Sequence, residues 1–444
     1  MLWIRRVKVC EAEWPEKDFD EKRGGETEPP RSNRVVKSPH NGFNVSVLFK
    51  IWNVLMKKIQ TKSRKGIKTR FVERIKTKKF IGIALIVVGI SSGVGIWKLL
   101  EEGVPASSGV YVINNRLVVN GQDFIVKGVC GITTPIGKDP STPPYYHWWD
   151  DPPNYTTDFA LMKKMGANTV RTYNVKGISR EALDSAYNHG IYVIMTYWVN
   201  SWADLSDPSV RQTMIDEFVE IVENNKDHPA VLMWGFGSEI DHFYLIRGPE
   251  DADVRDWYTL LQEAAQAAKA VDPNHPILSV NQGIAEIGDE SLKADDASLS
   301  AVDIWGVNSY RGSSFGNLFT DYISKSNKPL LMTEWGCDAW NGTTGVEDQA
   351  MQASYDHSLW LHIKNNLVPD GPCIGGTVFS WSDGWWKAGT PSSHTTTAQW
   401  QNDAYMDPNM NEEWWGIVAL DPYTGDKQPR EAYYDLKNLW SSST

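Results

Sequence analysis

Along the C-terminal three-quarters of the chain, short apolar runs alternate with amphipathic stretches, separated by polar turns. The runs at 124–131, 167–174, 191–198, 231–236, 276–282, 302–310, 329–335 and 374–381 are rich in β-branched and aromatic residues and predict strands. Between and after them, helical spacing predicts helices over 155–165, 180–188, 210–224, 253–271, 318–324, 348–365 and 430–440. Eight strands alternating with helices imply a parallel α/β architecture, and the count favours a (β/α)8 barrel. A doubly wound sheet is the alternative. It calls for a glycine-rich phosphate loop after the first strand, and "GVCGITTPIGK" matches that pattern poorly. The stretch "VYVINNRLVVNGQDF" (Val110–Phe124) reads as a hairpin closing the bottom of the barrel.

The N-terminal part follows another pattern. Phe80–Trp97, "FIGIALIVVGISSGVGIW", holds no charge, and with Leu99 and Leu100 it reaches the length needed to span a bilayer. Met56–Lys79 carries eleven Lys/Arg against one acid, Glu73, a positive-inside flank. The expected organisation is a basic cytoplasmic tail over 1–79, a single transmembrane helix over 80–100 and an extracytoplasmic catalytic body over 101–444. A buried core helix is disfavoured by the basic run beside it. A cleaved signal peptide, with "VPA" at Val104–Ala106 as the cleavage site, would make the body secreted.

Charge sharpens this division. Residues 1–100 carry 22 Lys/Arg and 9 Asp/Glu; residues 101–444 carry 22 and 46. So acidic a body excludes a polyanionic partner such as nucleic acid and leaves neutral substrates open. The four cysteines form no zinc pattern, and one disulfide among Cys130, Cys337 and Cys373 is open.

Barrel active sites lie at the C-terminal ends of the strands. Those ends carry Arg171 and Tyr173 on the second strand, Trp198 on the third, and Glu239 just past the fourth after the small-residue turn Gly235–Ser238. They carry Asn281 and Gln282 on the fifth, Asn308 and Tyr310 on the sixth, Glu334 and Trp335 on the seventh, and Trp381 on the eighth. Glutamates at the tips of strands four and seven face each other across such a barrel. A carboxyl pair of this kind suits glycosidic bond cleavage, one protonating the leaving oxygen while the other attacks the anomeric carbon. A separation of ~5–5.5 Å gives retention through a covalent intermediate. Metal chemistry is disfavoured, since no HxH or HExxH pattern occurs, and no cofactor is implied.

The segments "LMKKMGANTVRTYNV", "HGIYVIMTYW", "GVNSYRGSSF" and "LLMTEWGCDAWN" resemble the β-1,3-glucanosyltransferases of glycoside hydrolase family 72. "HPAVLMWGFGSEI" equally resembles the catalytic barrel of family 2. Both families belong to a clan of retaining β-glycosidases with glutamates on strands four and seven, and the likeness covers about 110–440. The resemblance implies that Glu239 is the acid/base and Glu334 the nucleophile. It implies that Arg171 and Tyr310 hydrogen-bond Glu334, and that Trp381 forms the platform under the sugar in the −1 subsite. One position departs from the clan pattern: Ser238 stands where the clan has Asn, the residue that holds the sugar 2-hydroxyl. A water fills the gap, the substrate differs at C2, or the site is weakened.

The loops "YYHWWDDPP" (Tyr145–Pro153) and "SWSDGWWKAG" (Ser380–Gly389) mix aromatics with polar groups, and Trp385 in the second is a candidate for stacking on a sugar. The expected function is a retaining β-glycoside hydrolase or transglycosylase acting on external carbohydrate. A non-catalytic carbohydrate-binding relative, motivated by Ser238, is the alternative.

Overall fold

The computed structural model describes residues 109–247 and 251–441. Three short strands, β1 (Val110–Ile113), β2 (Arg116–Val119) and β3 (Gln122–Asp123), form an antiparallel meander where the sequence predicted a hairpin. Eight parallel strands then close into a barrel: β4 (Val126–Cys130), β5 (Thr169–Arg171), β6 (Tyr192–Tyr197), β7 (Val231–Phe236), β8 (Ile277–Gln282), β9 (Ile304–Asn308), β10 (Leu330–Trp335) and, after the small hairpin β11 (Trp340–Asn341) and β12 (Val346–Glu347), β13 (Cys373–Val378). Neighbours pair in chain order, and β13 closes the ring on β4. This is the (β/α)8 barrel expected from the sequence.

Helices α1 (Pro152–Met165), α2 (Arg180–Asn188), α3 (Pro208–Asn225), α4 (Ile240–Arg247), α5 (Asp251–Val271), α6 (Leu318–Ile323), α7 (Gln349–Lys364) and α8 (Glu431–Ser441) accompany the strands. Their starts are chemically marked. Asp151, Ser179, Asp207 and Asp348 each accept a backbone N–H of the first turn, and proline follows at the start of α1 and α3. Gly166 ends α1 at φ 90°, a left-handed cap that costs other residues energy. Helix α4 and the two-residue strands were not anticipated.

Two apolar layers result. Val126, Ile194, Leu232, Leu278, Ile304, Leu331 and Ile374 fill the lower barrel, and Val110, Leu117 and Val119 of the meander join this cluster. The second layer lies between strands and helices and holds Trp234, Trp257, Trp335, Trp360 and Trp440. The bottom is therefore plugged by packing, which leaves the C-terminal rim for chemistry.

Cys130, Cys337 and Cys373 are all buried free thiols, so no disulfide forms among the described residues. No described helix is long and apolar enough to cross a membrane. The tail at 1–79 and the span at 80–100 lie outside the described residues.

Candidate active site

The tip of β7 is forced into an unusual turn. Gly237 has φ 71°, and a Cβ there would lie 2.6 Å from the Trp257 ring, so only glycine fits. Two residues on, Glu239 itself has φ 55°, a left-handed conformation uncommon for such a side chain. Its amide donates to the Val280 carbonyl at 2.9 Å, tying the turn to β8. The half-buried Glu239 carboxylate accepts from Asn308 Nδ2 at 2.8 Å. Asn308 is oriented in turn by Thr333, whose hydroxyl donates to its Oδ1 at 2.7 Å.

Glu334 is aimed by a break in register. Leu331 belongs to the lower barrel layer and Met332 to the outer one. A register irregularity against β9 follows between Met332 and Glu334, where Glu334 pairs with Asn308. Such a break lets consecutive residues depart from strict alternation. Glu334 Oε1 accepts from Arg171 Nη1 at 2.7 Å and Tyr173 Oη at 3.0 Å; Oε2 accepts from Tyr310 Oη at 2.7 Å. Arg171 is fully buried and shares its charge, donating from Nη2 to Ser238 Oγ at 2.9 Å. Its guanidinium also lies 4.7 Å from the Tyr173 ring centre.

The two carboxyl groups therefore sit in unlike surroundings. Burial first, and the Glu334 charge second, push Glu239 up to about 8, while the Asn308 amide and Arg171 oppose the rise. Glu334 instead faces a buried cation and two phenols. Burial and then neighbouring charge hold both Tyr173 and Tyr310 well above the ordinary tyrosine range, so they remain donors. Close by, Cys130 donates to the Thr333 carbonyl at 3.2 Å and is pushed up to about 11, chiefly by burial, which keeps it a neutral thiol. Asp241, fully buried, accepts the Gln282 amide at 3.1 Å and is pushed up to about 7 by burial and then Glu286. Among the described residues no three His, Cys, Asp or Glu side chains gather as a metal-binding group.

Residues 110–381 match the family model for glycosyl hydrolases family 2, TIM barrel domain. The chain belongs to this family. It is also 27% identical over 276 residues to a 1,3-beta-glucanosyltransferase gel2 of Aspergillus fumigatus, covering 57% of this chain and 54% of that one. It is 26% identical over 298 residues to the Beta-glucuronidase of Felis catus, covering 62% and 40%. The chain thus spans about half the length, or less, of these curated relatives. Among solved structures, a GH2 beta-galacturonidase from Eisenbergiella tayi bound to galacturonate superposes with a TM-score of 0.51 at 19% identity, covering 76% of this chain and 54% of that one. A Bacteroides uniformis beta-glucuronidase gives 0.54 at 16% identity, covering 76% and 38%. At these identities the structural likeness is one of fold.

Within this family 2 barrel, the structure gathers Glu334, Arg171, Tyr173, Ser238 and Tyr310 into one hydrogen-bonded group, and Thr333 links Asn308 and Glu239 to it. It does not bring in three tryptophans expected there. Trp335 is fully buried in the outer layer, its ring 6.2 Å from that of Trp360 on α7. Trp381 is also fully buried; its indole donates to Asp158 at 2.7 Å and its ring packs 6.3 Å from Tyr433 of α8. It is a helix-packing residue, not a platform under a sugar. Trp385 stacks 4.3 Å from His394, which stacks 3.8 Å from Trp414, so one face of its ring is taken. Trp198 lies half-buried one residue beyond β6.

The aromatics that do surround the site were missed. Phe379, just past β13, meets Tyr310 edge-on at 6.2 Å. Trp415 and Trp400 meet the same tyrosine at 5.0 and 6.1 Å. Trp400 and Trp415 lie beyond the family match, in a polar stretch without periodicity. Only their aromatic character marked them.

Proposed function

We propose that the chain is a retaining β-glycosidase or transglycosylase working by double displacement, with Glu239 as acid/base and Glu334 as nucleophile. In the first step Glu239 gives its proton to the glycosidic oxygen as Glu334 attacks the anomeric carbon. The bond to the leaving group breaks and a glycosyl ester forms. In the second step Glu239, now a carboxylate, takes a proton from water or a sugar hydroxyl, whose oxygen displaces Glu334. The observation that carries this reading is the asymmetry of the pair: three donors, one of them cationic, aim Glu334, whereas Glu239 has a single amide and retains a proton near neutrality. Environments that push two carboxyl groups apart separate acid from nucleophile.

The test is turnover of aryl β-glucoside, galactoside, mannoside and glucuronide, with proton NMR identifying the first-formed anomer. Retention, abolished in Glu334→Ala, supports the reading. An inverted product, or activity that survives the substitution, rules it out. Products longer than an oligosaccharide substrate distinguish transfer from hydrolysis, a distinction that matters because the relatives include both a glucanosyltransferase and glucuronidases.

The apolar run at 80–97 and its basic flank support a single-pass anchor with the barrel outside the cell. Protease added to intact cells would then degrade the barrel; full protection would refute this topology.

A further inference from the structure

Beyond the family match, the chain returns over the barrel rim. The short strands β14 (Trp400–Gln401) and β15 (Asn409–Met410) pair as a hairpin, and the hairpin β16 (Val418–Leu420) and β17 (Lys427–Pro429) follows. The first of these carries a strap, residues 400–405, that touches the tips of two neighbouring barrel strands at once. Past β9, Asn402 Nδ2 donates to the Tyr310 carbonyl at 3.0 Å. Two residues further, Gly312 at φ 78° lies so close to the Ala404 carbonyl that a Cβ has no room. Past β10, Tyr405 Oη donates to the Gly336 carbonyl at 2.8 Å, two residues after Glu334.

The strap is itself well held. The Trp400 indole donates to Glu412 at 2.7 Å, and Lys387 pairs with the other oxygen of that carboxylate at 2.9 Å. Asn402 Oδ1 accepts the Ala404 amide at 3.0 Å, closing the turn. Tyr405 is buried, and its ring packs 5.1 Å from Tyr355 of α7. Around Tyr310 the strap supplies Trp400, while Phe379 and Trp415 supply the other two edge-on rings.

We infer that this strap is a positioning element. By fixing the Tyr310 backbone with Asn402 and the turn after Glu334 with Tyr405, it sets the Tyr310–Glu334 hydrogen bond at its working length. Asn402 and Tyr405 are positioning residues; neither is bonded to Glu334. The inference rests on the reading of Glu334 as nucleophile. It places part of the machinery of this site in a segment outside the family match.

Asn402→Asp separates the strap's own folding from its hold on Tyr310. It keeps the oxygen that accepts from Ala404 and removes the donor to Tyr310. The expected result is a kcat lowered about tenfold with KM within about twofold and an unfolding midpoint close to that of the parent. Tyr405→Phe should behave likewise. In a Tyr310→Phe background neither substitution should cost more than about twofold, because residues acting through one bond are non-additive. Met406→Ala, on the same loop but 89% exposed, should change nothing. Incorporated 3-fluorotyrosine supplies a readout free of turnover: the fluorine resonance of Tyr310, assigned by its loss in Tyr310→Phe, should move in Asn402→Asp. An unmoved resonance, an unchanged kcat, or an equal loss in the Tyr310→Phe background overturns the inference. A chain with no glycosidase turnover whose Tyr310 resonance still moves defeats the nucleophile reading and leaves the strap standing.

Discussion

Ser238 Oγ accepts a hydrogen bond from Arg171 at 2.9 Å, and the same guanidinium donates to Glu334 at 2.7 Å. The residue before the proposed acid is thereby linked to the proposed nucleophile through one buried cation. Serine at this position satisfies one arm of the arginine fork while the other arm holds the carboxylate. Removing the hydroxyl strands a buried, charged N–H, which costs on the order of 1–3 kcal/mol unless the side chain moves. Ser238→Ala should lower kcat/KM by about tenfold and lower the unfolding midpoint as well. Ser238→Asn restores an oxygen able to accept from Arg171 and should recover most of that loss. Steady-state kinetics of the two variants side by side check this; equal rates for Ala and wild type would detach Ser238 from the chemistry.

The donors to Glu334 are not equivalent. Oε1 has both Arg171 and Tyr173, whereas Oε2 has Tyr310. Hydrogen bonds to a charged group contribute about 1.5–3 kcal/mol, or roughly 10- to 100-fold in rate. Tyr310→Phe strips the donor from Oε2 and should sit at the top of that range. Tyr173→Phe leaves Arg171 on Oε1 and should sit at the bottom. The comparison is made on kcat/KM with one aryl glycoside; a larger loss for Tyr173→Phe would mean that Oε1 is the attacking oxygen.

The strands and the polar residues at their tips were legible because each tip interrupts an apolar run: Arg171, Asn308, Tyr310 and Glu334 stand out from the valines, leucines and tryptophans before them. Which way a tip residue faces was not legible. Parallel barrel strands are buried on both sides, so alternation of apolar and polar residues vanishes. Trp335 and Trp381 sit at strand ends like Glu334 and Arg171, yet both point outward into helices. The irregularity that turns Glu334 inward leaves no trace in composition. The strap at 400–405 was illegible for the opposite reason. It has no period, and it is ordered by contacts with residues about 70 and 90 positions away, Gly336 and Tyr310.

Trp381 offers a direct check on that outward placement. Its indole N–H satisfies Asp158, a fully buried carboxylate that also binds Thr133 and Lys427. Trp381→Phe removes this donor and part of a packed ring while leaving the hydrogen bonds to Glu239 and Glu334 untouched. Stability should fall by about 1–3 kcal/mol, seen as a lower denaturation midpoint. KM at a temperature where the variant is folded should stay within about twofold. A large rise in KM with unchanged stability would return Trp381 to the sugar platform.

The pH dependence follows from Glu239. Burial and the nearby Glu334 hold its proton to about pH 8, against an ordinary value of 4.5. As a general acid it is competent while protonated, so the alkaline side of the glycosylation profile should fall as pH rises through that value. In Glu239→Gln this alkaline limb should disappear for aryl glycosides whose leaving groups need no proton. A limb that persists points to Asp241, pushed up to about 7. Stability should move with the same proton. The folded chain binds it more tightly than the unfolded chain does, so from about pH 4.5 to about pH 8 unfolding becomes easier as pH rises. Thermal denaturation across that window should show wild type losing stability steadily and Glu239→Gln losing less, the remainder belonging to Asp241 and to the other buried acids held above the ordinary range, Asp338, Asp356 and Glu413. A Glu239→Gln variant whose midpoint falls as steeply as that of wild type would show that Glu239 ionises freely in the folded state, and the assignment of the acid would have to be given up.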